Sequence, residues 1–383
     1  MKKIPYGRQF IDLDDQVAVK KTLQGDFITT GNKVIEFEKN LKIFTKSNFA
    51  VTCNSGTSAL HLSFLAINLK KDDVVIMPSI NFIAAFNMCQ NLNAKIYLSD
   101  VDPIHGKMTP YLLERCIKKN KIKKIKAIVT MHLGGQPDYI NEFFSIKKKY
   151  NCYLIEDACH ALGARYKVEN KIFNVGSCKH ADLCTFSFHP IKSITTAEGG
   201  AITTNKKNLY KKICLLRSHG IERSKKNYHW SYDIKSIGFN YRLSDINCSL
   251  GISQLKKINK FIKKRKSIAE RYLKHFKKYN KYIKIPQVNK NVYPSWHLFL
   301  ISINFKKLNS NKDNFLLYLK KNKIFAQYHY IPIYRLSIAK KKYHKNKNSE
   351  IYFKNSVSLP IFYNLKDKEQ KKVMNYVTNF ITK

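Results

Sequence analysis

Three short segments of the chain carry residue types that could do chemistry together. The first is a small, hydroxyl-rich turn at residues 54–58 (Asn-Ser-Gly-Thr-Ser), which leads directly into an apolar run at 60–69. If that run is a helix, its free backbone N–H groups and the positive end of its dipole would attract a phosphate. An ordinary Ser or Thr cap of a helix would leave the same pattern. The turn is therefore a candidate phosphate site with a simple structural alternative.

The second segment is the acidic end of an apolar run, where Glu156, Asp157 and His160 follow residues 153–155. A carboxylate at the end of a buried strand loses its hydration unless a cation or a hydrogen-bond donor meets it. An Asp that caps the turn into a helix would look alike. The segment is a candidate site for binding a cationic group.

The third segment runs from Ser187 to Lys192 and on to a glycine pair, Gly199 and Gly200. A lysine held near a pocket has a lowered amine pKa and becomes a nucleophile, although most of the 70 basic residues must lie at the surface. The order of the three segments is informative. A phosphate turn, an anion at a strand end and a reactive lysine are what pyridoxal 5′-phosphate (PLP) requires.

The elements that must position these residues follow an alternating pattern from residue 50 to 205. Short apolar runs rich in β-branched and aromatic residues alternate with amphipathic stretches, which indicates an α/β domain with a largely parallel sheet covered on both faces. Polar residues that end such strands lie where these sheets bind ligands. The predicted strands include residues 74–77, 96–98, 127–129, 153–155 and 183–186, and the predicted helices include 60–69, 112–119 and 140–149.

After Gly251 the sequence changes to long, lysine-rich helical patterns, with an extended segment near 296–305 and a final helix near 369–381. We therefore predict two domains, a large domain at 1–250 and a smaller α+β domain at 251–383. Trp296 and His297 are expected to anchor the smaller domain rather than to touch substrate, which is the alternative for this pair.

Composition limits the other classes of protein. The 383 residues are 44% hydrophobic and 25% charged, as in ordinary globular proteins, which excludes wholesale disorder and fibrous architecture. The net charge of +44 suggests nucleic acid or an anionic membrane as a partner. However, the lysines are scattered over the faces of amphipathic segments, and no zinc-finger, basic-zipper or RNA-binding pattern accompanies them. We expect neither nucleic acid nor membrane as a partner.

Cysteine usage and the N-terminus bear on the compartment. The nine cysteines are odd in number and include no C-x-x-C pair, so we expect reduced thiols. No apolar secretory signal or membrane-spanning stretch is visible, since polar residues interrupt the apolar run at 60–69. We expect a cytoplasmic protein, and no metal site.

The whole pattern resembles the DegT/DnrJ/StrS family of sugar aminotransferases, which are PLP-dependent enzymes of fold type I. The resemblance extends from residues 4–9 to about Pro360 and is most specific at 156–200. It implies a large domain with a mainly parallel sheet of the seven-stranded type. It also implies that Lys192 binds the cofactor covalently and that Asp157 keeps the pyridine nitrogen protonated.

Further cofactor contacts follow from the same resemblance. Thr57 and Ser58 match the turn that holds the phosphate, and Ser187 matches a hydroxyl that contacts it. The resemblance places Phe82 against the pyridine ring and His160 beside the ring hydroxyl. It also implies that Asn240 reaches the phosphate in the neighbouring subunit, so the active site would be shared across a homodimer.

The segment 327–334 (Gln-Tyr-His-Tyr-Ile-Pro-Ile-Tyr) is similar to members of the family that act in a pathway of the pseudaminic acid type. We therefore expect transfer of an amino group, from L-glutamate, to C4 of a UDP-linked 4-keto-6-deoxy-N-acetylhexosamine. Gln327, His329 and Tyr330 are candidate sugar contacts, although His329 and Tyr330 could instead pack beneath a loop. Arg217 could meet the diphosphate or could be structural. Other readings are amination of a GDP- or dTDP-linked ketosugar, or a catalytically idle binding or regulatory protein.

Overall fold

The computed structural model describes residues 3–223, 228 and 230–382. The α-helices of these residues are α1 (Leu13–Leu23), α2 (Asn32–Thr45), α3 (Gly56–Ala66), α4 (Ala84–Asn91), α5 (Pro110–Lys119), α6 (Ile140–Lys149), α7 (Lys207–Arg217), α8 (Asp245–Phe276), α9 (Lys312–Lys321), α10 (Lys347–Asn355) and α11 (Asp367–Thr382).

The strands of the same residues form one large sheet and several small ones. They are β1 (Ile4–Pro5), β2 (Phe49–Cys53), β3 (Val74–Pro78), β4 (Lys95–Ser99), β5 (Ala127–Met131), β6 (Tyr153–Asp157), β7 (Arg165–Val168), β8 (Lys171–Asn174), β9 (Leu183–Ser187), β10 (Gly200–Thr204), β11 (Ile221–Arg223), β12 (Tyr232–Ile234), β13 (Ile283–Lys284), β14 (Val292–Tyr293), β15 (Phe299–Ile303), β16 (Ile324–Phe325) and β17 (Ser356–Leu359).

The central sheet has seven strands in the order β2-β10-β9-β6-β5-β3-β4. Neighbours from β9 to β4 pair in parallel, and β10 is antiparallel to both β9 and β2. All five residues of β5 are buried, as expected for a strand covered on both faces. The predicted α/β fold with a mainly parallel sheet is confirmed.

The register of this sheet brings the three candidate segments to one edge. β6 ends at Asp157 and β9 ends at Ser187, and the two strands run parallel, with Asp157 opposite Thr185. Gly200 begins the antiparallel β10 and lies opposite both Ser187 and Cys53. The turn that follows Cys53 therefore lies beside the ends of β6 and β9.

The C-terminal part of the chain contains a small antiparallel sheet, β13-β15-β17. The predicted extended segment and final helix correspond to β15 and α11. β1 pairs with β16, so the first described residues pack with this C-terminal part. Helix α8 runs without interruption through residue 250. The division into domains 1–250 and 251–383 stays a prediction, and residues 1–2 and 383 of these ranges lie outside the described residues.

Two findings concern the rest of the chain. All nine cysteines are free thiols. Within the described residues, no helix is both long enough and apolar enough to cross a membrane.

Candidate active site

The turn at 54–58 begins helix α3 with a side-chain cap. Ser55 is the N-cap, and its Oγ accepts a hydrogen bond from the N–H of Ser58 at 3.0 Å. The Ser58 hydroxyl donates to Oδ1 of Asn54 at 2.5 Å. In the described part of the chain, the N–H groups of Gly56 and Thr57 donate to no acceptor. The cap and a phosphate site are therefore compatible, because the cap leaves these two donors available.

Glycine at two positions lets the turn approach the strand ends closely. A Cβ atom on Gly56 would lie 2.9 Å from Cβ of Ser187 and 3.2 Å from Sγ of Cys159. A Cβ atom on Gly200 would collide with the main-chain oxygen of Ser55. The two glycines leave a small cradle where the helix start meets the ends of β6 and β9.

Asp157 is a buried carboxylate with little local compensation. Asp157 is only 3% exposed, and its Oδ1 accepts one hydrogen bond, from the N–H of Cys159 at 3.2 Å. Among the described residues it forms no ion pair. A buried anion of this kind calls for a cationic partner, and a protonated pyridine nitrogen would supply one.

Lys192 lies on the loop after β9 and is half-buried. Burial lowers the pKa of its amine, and the nearby Cys159 and Asp157 oppose this shift. A lowered pKa increases the fraction of neutral amine, which is the nucleophilic form. Ser187 lies at the start of the same loop, where its Oγ accepts a long hydrogen bond from the N–H of His189 at 3.5 Å.

His160 and Phe82 lie on the side of the site where the ring of the cofactor is expected. His160 is 2% exposed, and burial, with contributions from Lys192 and His329, keeps its pKa well below the ordinary value. The imidazole is therefore neutral. The Phe82 ring is 51% exposed, and its centroid lies 5.7 Å from that of Tyr330.

Comparison with known proteins agrees with this arrangement. The model of the DegT/DnrJ/EryC1/StrS aminotransferase family matches residues 9–378. The chain belongs to this family. It is 38% identical over 384 residues to the UDP-4-amino-4,6-dideoxy-N-acetyl-β-L-altrosamine transaminase of Campylobacter jejuni, covering 99% of this chain and 98% of the relative.

Solved structures of relatives match along the whole chain. PseC of Helicobacter pylori, an aminotransferase involved in the biosynthesis of pseudoaminic acid, is 30% identical, with a TM-score of 0.90 and all of both chains covered. The PLP form of Spr1654 from Streptococcus pneumoniae is 27% identical, with a TM-score of 0.87, and covers 100% of this chain and 98% of that one. The protein is thus a PLP-dependent sugar aminotransferase.

The site of this aminotransferase fits its cofactor on three independent observations. The buried Asp157 forms no ion pair within the described residues, the Gly56 cradle leaves room beside two free N–H donors, and the Lys192 amine has a lowered pKa. The assignment of individual cofactor contacts to Thr57, Ser58 and Ser187 stays a prediction.

The segment 327–330 enters the site from the C-terminal part of the aminotransferase. Gln327 is exposed, and its main chain bridges to Ser358. His329 is 7% exposed, its Nδ1 lies 2.7 Å from Oγ of Ser358, and burial, assisted by Lys192, lowers its pKa to about 3. Tyr330 reaches Nε2 of His160 through its hydroxyl at 3.0 Å. The structure thus brings His329 and Tyr330 close to His160, whereas Gln327 faces outward.

Arg217 and Asn240 lie near the turn at 54–58. Nη1 of Arg217 donates to Glu38 at 2.5 Å and to the main-chain oxygen of Thr52 at 2.9 Å, contacts that support the structural alternative for this arginine. Asn240 is exposed, and its main-chain oxygen accepts a 3.5 Å hydrogen bond from Asn54 of the same chain. Its contact with a second subunit stays a prediction.

One residue at the site was not assigned there from the sequence. His297 was expected to anchor the smaller domain together with Trp296. Trp296 is indeed in the core of the C-terminal part, but the His297 ring lies 4.2 Å from the His160 ring, centroid to centroid. Both ring nitrogens of His297 are buried without a hydrogen-bond partner in the described structure. Its adjacency to Trp296 in sequence suggested packing, and no local signal indicated His160.

Proposed function

We propose that this aminotransferase transfers an amino group from L-glutamate to C4 of a UDP-linked 4-keto-6-deoxy-N-acetylhexosamine, in a pathway of the pseudaminic acid type. The observation that carries the proposal is the 38% identity, over almost the full length of both chains, to a transaminase named for a UDP-linked 4-amino-4,6-dideoxy sugar. A second Campylobacter jejuni transaminase of the same name is 37% identical over the same length.

The residues of the site would divide the reaction between them. When bound, the cofactor supplies a ring that accepts the electrons left on the α-carbon of the donor. Asp157 holds a proton on the ring nitrogen by its negative charge. Lys192 Nζ removes the α-proton of the amino donor and, in the second half-reaction, returns a proton to C4 of the sugar. Its lowered pKa favours the neutral amine that the first of these steps needs.

We propose that Gln327 and His329 hold the sugar nucleotide. Gln327 is exposed and would contact the substrate only from the surface, and His329 has one ring nitrogen bonded to Ser358, which leaves Nε2 for a sugar hydroxyl. A second subunit would add Asn240 near the phosphate, so we propose a homodimer with shared active sites. A cytoplasmic location agrees with the nine free thiols.

An assay with a panel of 4-ketosugars tests the substrate. The purified enzyme would be incubated with L-glutamate and UDP-, GDP- or dTDP-linked 4-keto-6-deoxy sugars, and the products identified by mass spectrometry and NMR. We expect the highest kcat/KM with the UDP-linked N-acetylhexosamine and the new amine at C4. A preference for a GDP- or dTDP-linked sugar would refute the sugar assignment, and no turnover with bound PLP would favour an idle binding protein.

A further inference from the structure

The hydrogen bonds of His160 determine whether His160 or Tyr330 is the donor in the bond between them. The main-chain N–H of Gly134 donates to Nδ1 of His160 at 3.4 Å. A ring nitrogen that accepts a hydrogen bond carries no proton, so the neutral imidazole has its proton on Nε2. Nε2 lies 3.0 Å from the hydroxyl of Tyr330. The Nε2–H group therefore donates, and the oxygen of Tyr330 accepts.

The proton of the Tyr330 hydroxyl is consequently free to be donated elsewhere. Within the described residues, this hydroxyl has no hydrogen bond other than the one to His160. Burial, with the nearby charge of Asp157, raises the pKa of Tyr330 well above its ordinary value, so the hydroxyl stays protonated. Tyr330 is only partly buried, so its hydroxyl proton is available to an acceptor that arrives with a ligand.

The neighbours of Tyr330 indicate which ligand this is. Its ring centroid lies 5.7 Å from that of Phe82 and 6.1 Å from that of His160. These are the two residues predicted to flank the ring and the ring hydroxyl of the cofactor. Tyr330 thus lies beside two predicted neighbours of the cofactor, whereas Gln327 is exposed.

The position of the hydroxyl is well constrained because His160 is held from several sides. Oγ of Ser295 donates to the main-chain oxygen of His160 at 2.9 Å. The His297 ring packs on the face of the imidazole at 4.2 Å, with an angle of 39° between the two planes. With Gly134 on Nδ1, these contacts leave the imidazole little freedom to rotate, so it directs the hydroxyl of Tyr330.

We propose that the Tyr330 hydroxyl donates a hydrogen bond to the oxygen of the ring hydroxyl of bound PLP. His160 acts as the positioning residue for the Tyr330 hydroxyl. The proposal rests on the cofactor contacts predicted for Phe82 and His160, and not on the identity of the sugar. A donor at this oxygen stabilises its ionised form. The hydrogen bond from Tyr330 therefore lowers the midpoint of the pH titration of the visible absorbance band of the bound cofactor.

The first experiment is a pH titration of the visible spectrum of the purified holoenzyme. Tyr330→Phe removes only the hydroxyl, and we expect the midpoint to rise by roughly one to two pH units, the effect of one hydrogen bond to a charged group. The control is Tyr352→Phe, since the Tyr352 hydroxyl donates to the main-chain oxygen of His329, at 2.8 Å, and so has an acceptor within the protein. Its midpoint should not move. An unchanged midpoint in Tyr330→Phe would overturn the proposal.

A binding experiment locates the acceptor and needs no sugar nucleotide, so its failure is distinct from failure of the substrate assignment. The apoenzymes would be titrated with PLP and with 3-deoxypyridoxal 5′-phosphate, which lacks the ring hydroxyl. We expect Tyr330→Phe to weaken PLP binding about tenfold and to leave binding of the deoxy compound unchanged. Equal weakening of both compounds would contradict the proposal. If Tyr330→Phe does not fold, the wild-type enzyme still decides: it must prefer PLP, and equal affinities would refute the hydrogen bond.

Discussion

The ion pair between Arg217 and Glu38 allows a quantitative test of what Arg217 does. Oε1 of Glu38 accepts from Arg217 Nη1 at 2.5 Å and from the main-chain N–H and hydroxyl of Thr52 at 2.8 and 2.9 Å. Both charged side chains are only 16% exposed. If this network is the role of Arg217, Arg217→Ala should destabilise the fold and leave binding of the sugar nucleotide unchanged.

The size of the effect follows from the burial of the pair. Removing one member of a buried ion pair costs about 3–5 kcal/mol, and the remaining exposure places this pair near ~3 kcal/mol. An unfolding entropy of about 2.1 cal/mol/K per residue gives ~0.8 kcal/mol/K for this chain. Arg217→Ala should therefore lower Tm by about 4 °C. Glu38→Ala should do nearly the same, and the double variant should lose less than the sum of the two.

Scanning calorimetry on the wild type, the two single variants and the double variant would measure this coupling, with the same saturating PLP in every sample. Glu36→Ala is the control, because Glu36 pairs with Lys33 at the surface, where both side chains are more than 40% exposed. It should change the free energy of unfolding by less than about 0.5 kcal/mol. A normal Tm in Arg217→Ala together with a raised KM for the sugar nucleotide would show that Arg217 binds substrate, and the structural argument would fail.

Three further predictions concern the site itself. Borohydride reduction of the holoenzyme should leave a pyridoxyl label on Lys192, as found by peptide mapping, and Lys192→Ala should lose turnover; a label on another lysine would refute the assignment. His329→Ala should raise KM for the sugar nucleotide about two- to tenfold, the loss of one neutral hydrogen bond, while the half-reaction with glutamate stays nearly intact; equal damage to both half-reactions would mean that His329 supports the fold through Ser358. Asn240→Ala should weaken PLP binding, and mixing it with Lys192→Ala should restore some activity by forming dimers with one intact site; full activity of a monomer, measured by light scattering at assay dilution, would contradict a shared site.

Most of the central sheet was predictable because its strands are apolar on both faces. The five strands predicted from apolar runs are β3, β4, β5, β6 and β9. The two that were not named, β2 and β10, lie at the antiparallel side of the sheet. β10 begins with glycine and ends with two threonines, so its sequence lacks the continuous apolar run of its neighbours. Its position depends on pairing with β9 and β2, which no local pattern encodes.

The candidate site was predictable to the extent that its chemistry lies in short segments of the sequence. Asp157, Ser187 and Lys192 each have a local signal, a strand end or a loop after a strand. Their proximity is a property of parallel pairing between β6 and β9. The contact between His160 and His297 joins residues 137 positions apart through tertiary packing. A single sequence holds no signal for such a contact, so the position of His297 beside His160 could not be predicted.

The predicted domain boundary near residue 250 divides the residues that meet at the candidate site. Lys192, Asp157 and His160 precede it, whereas His297 and Tyr330 follow it and contact His160 directly. Residues 1–250 alone would leave the imidazole of His160 without its stacking partner and its hydroxyl acceptor. Both contacts are lost without residues 251–383, so the C-terminal part restricts the orientation of the His160 ring.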